Sequence, residues 1–303
     1  MVGRRAGRRT NLSAVERPGP RLRRLLDVWG LVPGFAVPHE HVRLAAADGV
    51  ELAGSYLPGP APGGPAVALL HGFGGHHRKP RLALLAERLT AFGGVLAVDL
   101  RGHGRSGGRC TLGDREELDA LAALAWLRRR GHDWVGLLGL SMGGAAVVRG
   151  AGAAAARGPA RPDAVCVIST AARWGLRTSP EMTRIERLPV WTAGRAAVRG
   201  LLRTRVARGW DFPDEPLLRV ARIAPAPLLI VHGMDDHYFG PDQAELLYAN
   251  AAEPRTLWLE PPGFGHAEDG LTPAFCDRLA AAFAEVRAHG AWPERFTDRS
   301  GRA

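Results

Sequence analysis

The residues of this chain best suited to covalent chemistry centre on Ser141, within Gly139-Leu140-Ser141-Met142-Gly143. An apolar run of strand length, Trp134–Leu138, precedes the motif, and a small-residue segment, Gly144–Arg149, follows with the character of a helix. A serine on a sharp strand-to-helix turn presents its hydroxyl at the sheet edge, and glycines on either side remove the Cβ clashes such a turn would create. A hydroxyl of this kind acts as a nucleophile when a histidine takes its proton, a carboxylate orients that histidine, and N–H donors receive the oxyanion. The five-residue pattern occurs a second time, at Gly104-Arg105-Ser106-Gly107-Gly108. That copy stands four residues beyond the preceding strand, and Arg109-Cys110-Thr111 does not open a helix, so it reads as a loop.

The partners must come from elements that end beside the serine. Strand-like apolar runs alternate with helical segments: Ala66–Leu70, helix 80–92, Val95–Leu100, helix 114–130, Trp134–Leu140, helix 142–156 and Ala164–Ser169. After an interruption come Leu228–Val231, helix 241–251, Thr256–Leu259 and a helix over about 272–288. Continuous apolar strands separated by helices predict an α/β fold, with a mostly parallel sheet covered by helices on both faces. His41–Ala47 and Val50–Leu57 read as an opening hairpin turning at Asp48-Gly49, joined to the rest by a Pro/Gly stretch, Pro58–Pro65. Residues 171–226, with eleven Arg, three Trp and five Pro, break the rhythm and read as a helical lid inserted over the site. The organisation expected is a basic leader over 1–38, one domain over 39–290 that includes this lid, and a tail over 291–303.

Parallel sheets gather active-site residues in the loops beyond the carboxyl ends of their strands. The first such loop is His71-Gly72-Phe73-Gly74-Gly75, whose glycines allow close backbone approach. The N–H of Phe73, with that of Gly74 as a further candidate, could form half of an oxyanion hole, and the N–H of Met142 the other half. His76 and His77 follow without a third metal ligand nearby and are expected at the surface or along a pocket. Asp99 and His103 lie in a dense charged turn, Asp99–Ser106, and read as structural. Asp163 stands at the wrong end of its strand, whereas Asp235 and Asp236 follow Val231-His232-Gly233, and either could orient a base. Of eleven histidines, His266 alone falls between the final strand and the final helix, and the order serine, acid, histidine suits this sheet type.

Composition narrows the classes of partner. The chain has 303 residues and a net charge of +10, but residues 1–24 hold eight arginines and one glutamate. The basicity therefore belongs mainly to a leader expected to be disordered and solvated, and no nucleic-acid partner is predicted. Thirty-nine arginines against one lysine, Lys79, suit a GC-rich genome as readily as a polyanion ligand. No apolar run reaches the ~18 residues of a membrane span. Arg23-Arg24 before Leu25–Val32 faintly resembles a twin-arginine signal, yet the apolar part is short, contains Asp27 and lacks a clear cleavage site. Residues 22–32 could instead lie as an amphipathic helix on the domain or on a membrane surface. Three cysteines give no even disulfide framework and fit reduced thiols in a cytoplasmic protein.

Taken together, His71–Gly75, Asp99–Ser106, Gly139–Gly143, His232-Gly233-Met234-Asp235-Asp236 and Gly265-His266 resemble the α/β-hydrolase family across about residues 40–288. The flavour is similar to its serine-aminopeptidase-like and lysophospholipase-like branches. In similar hydrolases the acid falls three residues after the glycine of the His-Gly step, which selects Asp236. The resemblance implies acyl transfer to Ser141, with His266 as base, Asp236 as its orienting acid and no metal or organic cofactor. It implies a small hydrophobic acyl substrate bound as ester, thioester or amide, with specificity carried by 171–226. There Trp174, Trp191, Trp210, Leu201 and Leu202 could line an apolar pocket. Arg195, Arg199, Arg203, Arg205 and Arg208 could attract an anionic leaving group or form a solvated helix face. The alternative is a non-catalytic binding or membrane-docking protein on the same fold, which would lack a member of the triad; none is missing. A carbon–carbon hydrolase or a cofactor-free haloperoxidase would use the same three residues.

Overall fold

The structure, a computed structural model, describes residues 34–154, 161–175, 179–187, 192–209 and 213–294. The expected hairpin forms from β1 (Glu40–Ala45) and β2 (Glu51–Leu57), closed by Gly49 at φ 81°. Six further strands follow: β3 (Ala66–Leu70), β4 (Gly94–Val98), β5 (Val135–Leu140), β6 (Ala164–Ile168), β7 (Leu228–Gly233) and β8 (Arg255–Glu260). They make one sheet in the order β1-β2-β4-β3-β5-β6-β7-β8, antiparallel from β1 to β4 and parallel from there on. Every residue of β3 to β7 is buried, which is why these strands read as unbroken apolar runs without alternation.

The helices α1 (Pro80–Leu89), α2 (Glu116–Arg129), α3 (Met142–Ala154), α6 (Asp242–Asn250) and α7 (Pro273–His289) cover the sheet. Local signals set their ends. Pro80 and Pro273 open α1 and α7, where a missing N–H costs nothing. The hydroxyl of Thr272 caps α7 by accepting the N–H of Phe275 at 3.2 Å, and Gly290 closes it in the left-handed region. On α2, Glu116, Glu117 and Asp119 stand in the first turn and Arg128 and Arg129 in the last, opposing the helix dipole at both ends.

Apolar residues of α2, α3 and α6 fill one face of the sheet, and those of α1 and α7 fill the other. The helices after β3 and β5 therefore leave the sheet in opposite directions, and a crevice opens between the carboxyl ends of these adjacent strands. Between β6 and β7 lie α4 (Pro180–Arg187) and α5 (Thr192–Leu202), in the segment read from sequence as a helical insertion. Packing extends past both expected domain limits. Phe35 is buried with α1, and Trp292 is buried against Phe283 while donating its indole N–H to Pro227 O at 2.9 Å. Among the described residues no helix is long and apolar enough to cross a membrane.

Candidate active site

Ser141 stands at the crevice between the last residue of β5 and the first of α3. Its φ of 51° is left-handed, a conformation that costs a residue with a side chain roughly 1–2 kcal/mol. The turn is held by Ser141 N–H to Ile168 O at 2.9 Å and Ala145 N–H to Ser141 O at 3.1 Å. A Cβ at Gly143 would come within 2.5 Å of His71 O and 2.6 Å of Leu70 O, and one at Gly139 would collide with Gly143 O. Only glycine at both positions lets strand, turn and helix pack this closely.

The loop after β8 brings His266 to the serine, 125 residues away in sequence. His266 Nε2 lies 3.0 Å from Ser141 Oγ, and its Nδ1 lies 2.7 Å from Asp236 Oδ2. With the carboxylate accepting at Nδ1, the neutral ring carries its proton there and Nε2 is free to accept from the hydroxyl. The Asp236 side chain is fully buried, and its other oxygen, Oδ1, accepts the N–H groups of Tyr238 at 2.9 Å and Phe239 at 3.4 Å. Burial alone would lift this carboxyl. The bond and charge of His266, with the Tyr238 N–H, hold it below the ordinary carboxylate value, so it stays ionised.

Its neighbour Asp235 does different work. Its two oxygens accept the N–H groups of Gly263 at 2.6 Å and Gly265 at 2.9 Å, fastening the turn that carries His266. Behind His266, Ser169 Oγ accepts the N–H of Ala267 at 2.9 Å. His232 donates Nε2–H to Phe239 O at 3.1 Å and stands 3.7 Å from Asp236 Oδ2. Tyr238 and Phe239 wall the imidazole, with ring centroids 4.5 and 5.4 Å from His266. Sequence reasoning assigned no role to Ser169, His232, Tyr238 or Phe239. The last two could have been noticed as the aromatic pair just after Asp236.

The loop after β3 stands directly against Ser141, since a Cβ at Gly72 would lie 3.1 Å from Ser141 Cβ. Phe73 and Met142 line the cavity, and among the described residues neither backbone N–H meets an acceptor. Gly74, the further candidate, is excluded because its N–H is taken by His103 Nε2 at 3.1 Å. His103 and His71 together set the loop. His103 donates Nδ1–H to Arg101 O at 3.0 Å, while His71 donates Nδ1–H to Gly72 O at 2.7 Å and accepts the N–H of Leu100 at 3.0 Å. Burial lowers both imidazoles below the usual histidine value, so they are neutral acceptors.

Asp99 is structural: its carboxylate accepts the N–H of His77 and of Arg105, each at 2.8 Å, and His77 Nδ1–H at 2.7 Å. His77 is thus buried behind the loop, bonded also to Ser55 Oγ at 3.0 Å, contrary to the surface or pocket position expected of it. Ser106, in the second glycine–serine motif, is buried and accepts the N–H of Ala53 at 2.9 Å, which accounts for it without chemistry.

Above Ser141 opens a cavity of about 560 Å³, with apolar walls from Leu112, Met142, Trp174, Met182 and Phe239. Trp174 is held in this wall by its indole N–H to Pro213 O at 2.8 Å. Trp191 and Trp210 lie outside the described residues. Leu201 and Leu202 do not line the cavity; they project from α5 with 69% and 41% of their surface exposed. None of Arg195, Arg199, Arg203, Arg205 or Arg208 reaches it either, and the basic groups along its wall are Arg173 and Lys79, the latter 3.4 Å from Glu268. Among the described residues no group of three or more His, Cys, Asp or Glu could hold a metal ion. The three cysteines are free and buried.

Comparison with solved structures places this architecture among known hydrolases. The Pyrococcus furiosus esterase Pf2001 superposes with a TM-score of 0.62 at 21% identity, covering 82% of this chain and 93% of that one. The α/β hydrolase GrgF from Penicillium sp. sh18 gives 0.61 at 18% identity, covering 83% and 97%. A membrane phospholipase A described as a bacterial virulence factor gives 0.61 at 20% identity, covering 89% and 90%. No curated protein matches the sequence. The family model described as serine aminopeptidase, S33, matches residues 64–219, over half of the chain and spanning the loop after β3, the Ser141 turn and the helices that follow β6. With that match and this sheet, the chain belongs to the serine aminopeptidase (S33) family of α/β hydrolases.

Proposed function

We propose that this hydrolase cleaves the carboxylic ester of a small hydrophobic substrate through an acyl-enzyme on Ser141, with thioesters and amides as further substrates of the same site. The observation that carries the reading is the continuous relay from Ser141 Oγ through His266 to Asp236, at 3.0 and 2.7 Å. In the first half-reaction Ser141 Oγ attacks the acyl carbonyl as its proton passes to His266 Nε2. Asp236 stabilises the imidazolium and keeps the proton on Nδ1. The carbonyl oxygen becomes an oxyanion at the N–H groups of Phe73 and Met142, and each such donor is worth roughly 3–4 kcal/mol in the transition state. His266 then protonates the leaving oxygen. In the second half-reaction it activates a water that releases the acid and restores the hydroxyl. The acyl chain occupies the apolar wall made by Met142, Trp174 and Met182, the last two from the segment between β6 and β7.

Labelling with a fluorophosphonate tests this directly. The wild-type chain is expected to form a stable adduct whose mass maps to Ser141, and Ser141→Ala is expected to lose both labelling and hydrolysis of p-nitrophenyl butyrate while keeping its circular dichroism spectrum. Full activity in Ser141→Ala would remove the proposal. Absence of any adduct in wild type would favour the non-catalytic binding protein.

A further inference from the structure

The segment from α5 to Gly209 is built unlike the rest of the surface. Residues 192–209 contain five arginines, Arg195, Arg199, Arg203, Arg205 and Arg208, and no acidic residue. On α5, Val198 is buried and holds the helix to the domain, while Ala196, Ala197, Gly200 and Leu201 are all exposed. The spacing i, i+1, i+4, i+5 puts these four on one side of the helix, so its outward face is apolar. Leu201, with 69% of its surface exposed, is the most exposed large apolar side chain among the described residues. Arg195 and Arg199 run beside this stripe one turn apart, and Arg203 follows at its carboxyl end.

The position of this face relative to the cavity is fixed. Leu202 covers the oxyanion-side loop, its Cδ1 lying 3.0 Å from where a Cβ on Gly74 would stand, one residue from cavity-lining Phe73. Beyond α5 the chain is stitched to the loop after β4 by Arg205 N–H to Gly102 O at 2.8 Å and Cys110 N–H to Arg205 O at 2.7 Å. That stitching brings exposed Arg105 to the same rim, since the Arg205 guanidinium also donates to the carbonyl of the adjoining Ser106.

We infer that the exposed face of α5 docks on the surface of an anionic lipid bilayer, with Leu201 and Leu202 entering the acyl–headgroup boundary and the surrounding arginines meeting lipid phosphates. Charge complementarity selects the occupant: a segment, 192–209, with five arginines and no acid of its own repels the chain's Arg-rich residues 1–24 and the same segment of a second copy. A polyanion in water would be met by the arginines but offers nothing to a fully presented leucine, whereas a bilayer surface takes both. Because this face and the cavity share a rim, docking would set the mouth of the site at the depth of lipid ester groups. The inference deepens the proposed ester hydrolysis by naming lipid-borne esters as the substrate class, and it rests on that reading.

The test reports insertion at α5 itself. Cys110, Cys166 and Cys276 are buried, so a single cysteine introduced by Gly200→Cys, where a Cβ meets open space, takes an environment-sensitive NBD label selectively. Ala288→Cys, exposed near the amino ends of the strands, where Arg287 pairs with Asp133 ahead of β5, serves as control. On phosphatidylglycerol vesicles the label at 200 is expected to brighten and shift to the blue, with no change at 288 and little on phosphatidylcholine vesicles. Arg199→Gln is expected to weaken vesicle binding read at this label roughly fivefold, the factor one basic residue contributes near an anionic surface. Leu201→Ser is expected to abolish the blue shift. A label at 200 that stays silent while the protein binds vesicles would overturn the inference. So would a response to transfer RNA or to protein concentration that exceeds the response to vesicles. Hydrolysis of soluble p-nitrophenyl butyrate is read on the same labelled protein, so a failed catalytic reading and a failed docking reading are told apart.

Discussion

Replacing Asp236 with Asn isolates the tautomer of His266 from the geometry that holds it. The new side chain is isosteric, and the structure dictates which way its amide turns. Asp236 Oδ1 accepts the N–H groups of Tyr238 and Phe239, so the Asn carbonyl must keep that place. The reverse orientation would set an NH₂ against those donors and leave buried polar groups unpaired, at roughly 1–3 kcal/mol each. The amide NH₂ therefore faces His266 Nδ1, where the carboxylate oxygen now sits at 2.7 Å. Nδ1 becomes an acceptor, the ring proton moves to Nε2, and the base no longer has a lone pair for the Ser141 proton. Loss of a triad acid in this manner lowers kcat by ~10⁴, about 5.4 kcal/mol of barrier. The control is Asp235→Asn, next in sequence. It surrenders one of two bonds to the Gly263 and Gly265 N–H groups, loosening the turn without touching the relay, and should cost less than about tenfold. Steady-state hydrolysis of p-nitrophenyl butyrate, with urea unfolding of both variants, checks the ranking. A kcat for Asp236→Asn within tenfold of wild type, or an equal fall in Asp235→Asn, would refute the argument.

Two predictions concern the packing and protonation that support the site. A Cβ on Gly144 would fall inside the radius of Thr170 Oγ1, itself buried without a hydrogen-bond partner. Gly144→Ala should therefore destabilise by ~1–3 kcal/mol, Thr170→Ala should be near neutral, and the double variant should recover most of the loss in urea unfolding; simple additivity would contradict the packing account. Stability should also fall in mild acid. His71 and His103 are held below the ordinary histidine value by burial, so below about pH 6.5 the unfolded chain binds protons that the folded chain refuses. The contribution is fully present above that pH and declines below it by up to ~1.4 kcal/mol per pH unit for each histidine. Urea midpoints at pH 7.5, 6 and 5 measure this, and a flat profile would mean that these rings are not the neutral acceptors they are drawn as.

Much of the fold is local and was therefore legible in the chain. The runs Ala66–Leu70, Val135–Leu140 and Leu228–Val231 are apolar at every position because both sheet faces are covered, and a strand buried on both sides has no polar place to alternate with. Ser141 could be distinguished from Ser106 by its flanks alone, since a strand before and a helix after are properties of adjacent residues. His266 followed from its place after the last strand. Asp235 and Asp236 could not be separated on residue type, because neighbours in a turn point in opposite directions and only the resemblance to other hydrolases favoured one.

Tertiary contact settled what neighbours in sequence could not. It turned Asp236 inward to His266 and Asp235 outward to the Gly263 and Gly265 N–H groups. It gave the Gly74 N–H to His103, leaving Phe73 and Met142 facing the cavity, and it buried His77 against Asp99. It also carried Leu201 and Leu202 out of the pocket and onto the surface. Composition and periodicity state which residues must leave water, and so determine strands, helices and the turn that bears Ser141. Which donor meets which acceptor across more than a hundred residues depends on distances of a few tenths of an ångström, and those exist only once the sheet has brought its strand ends together.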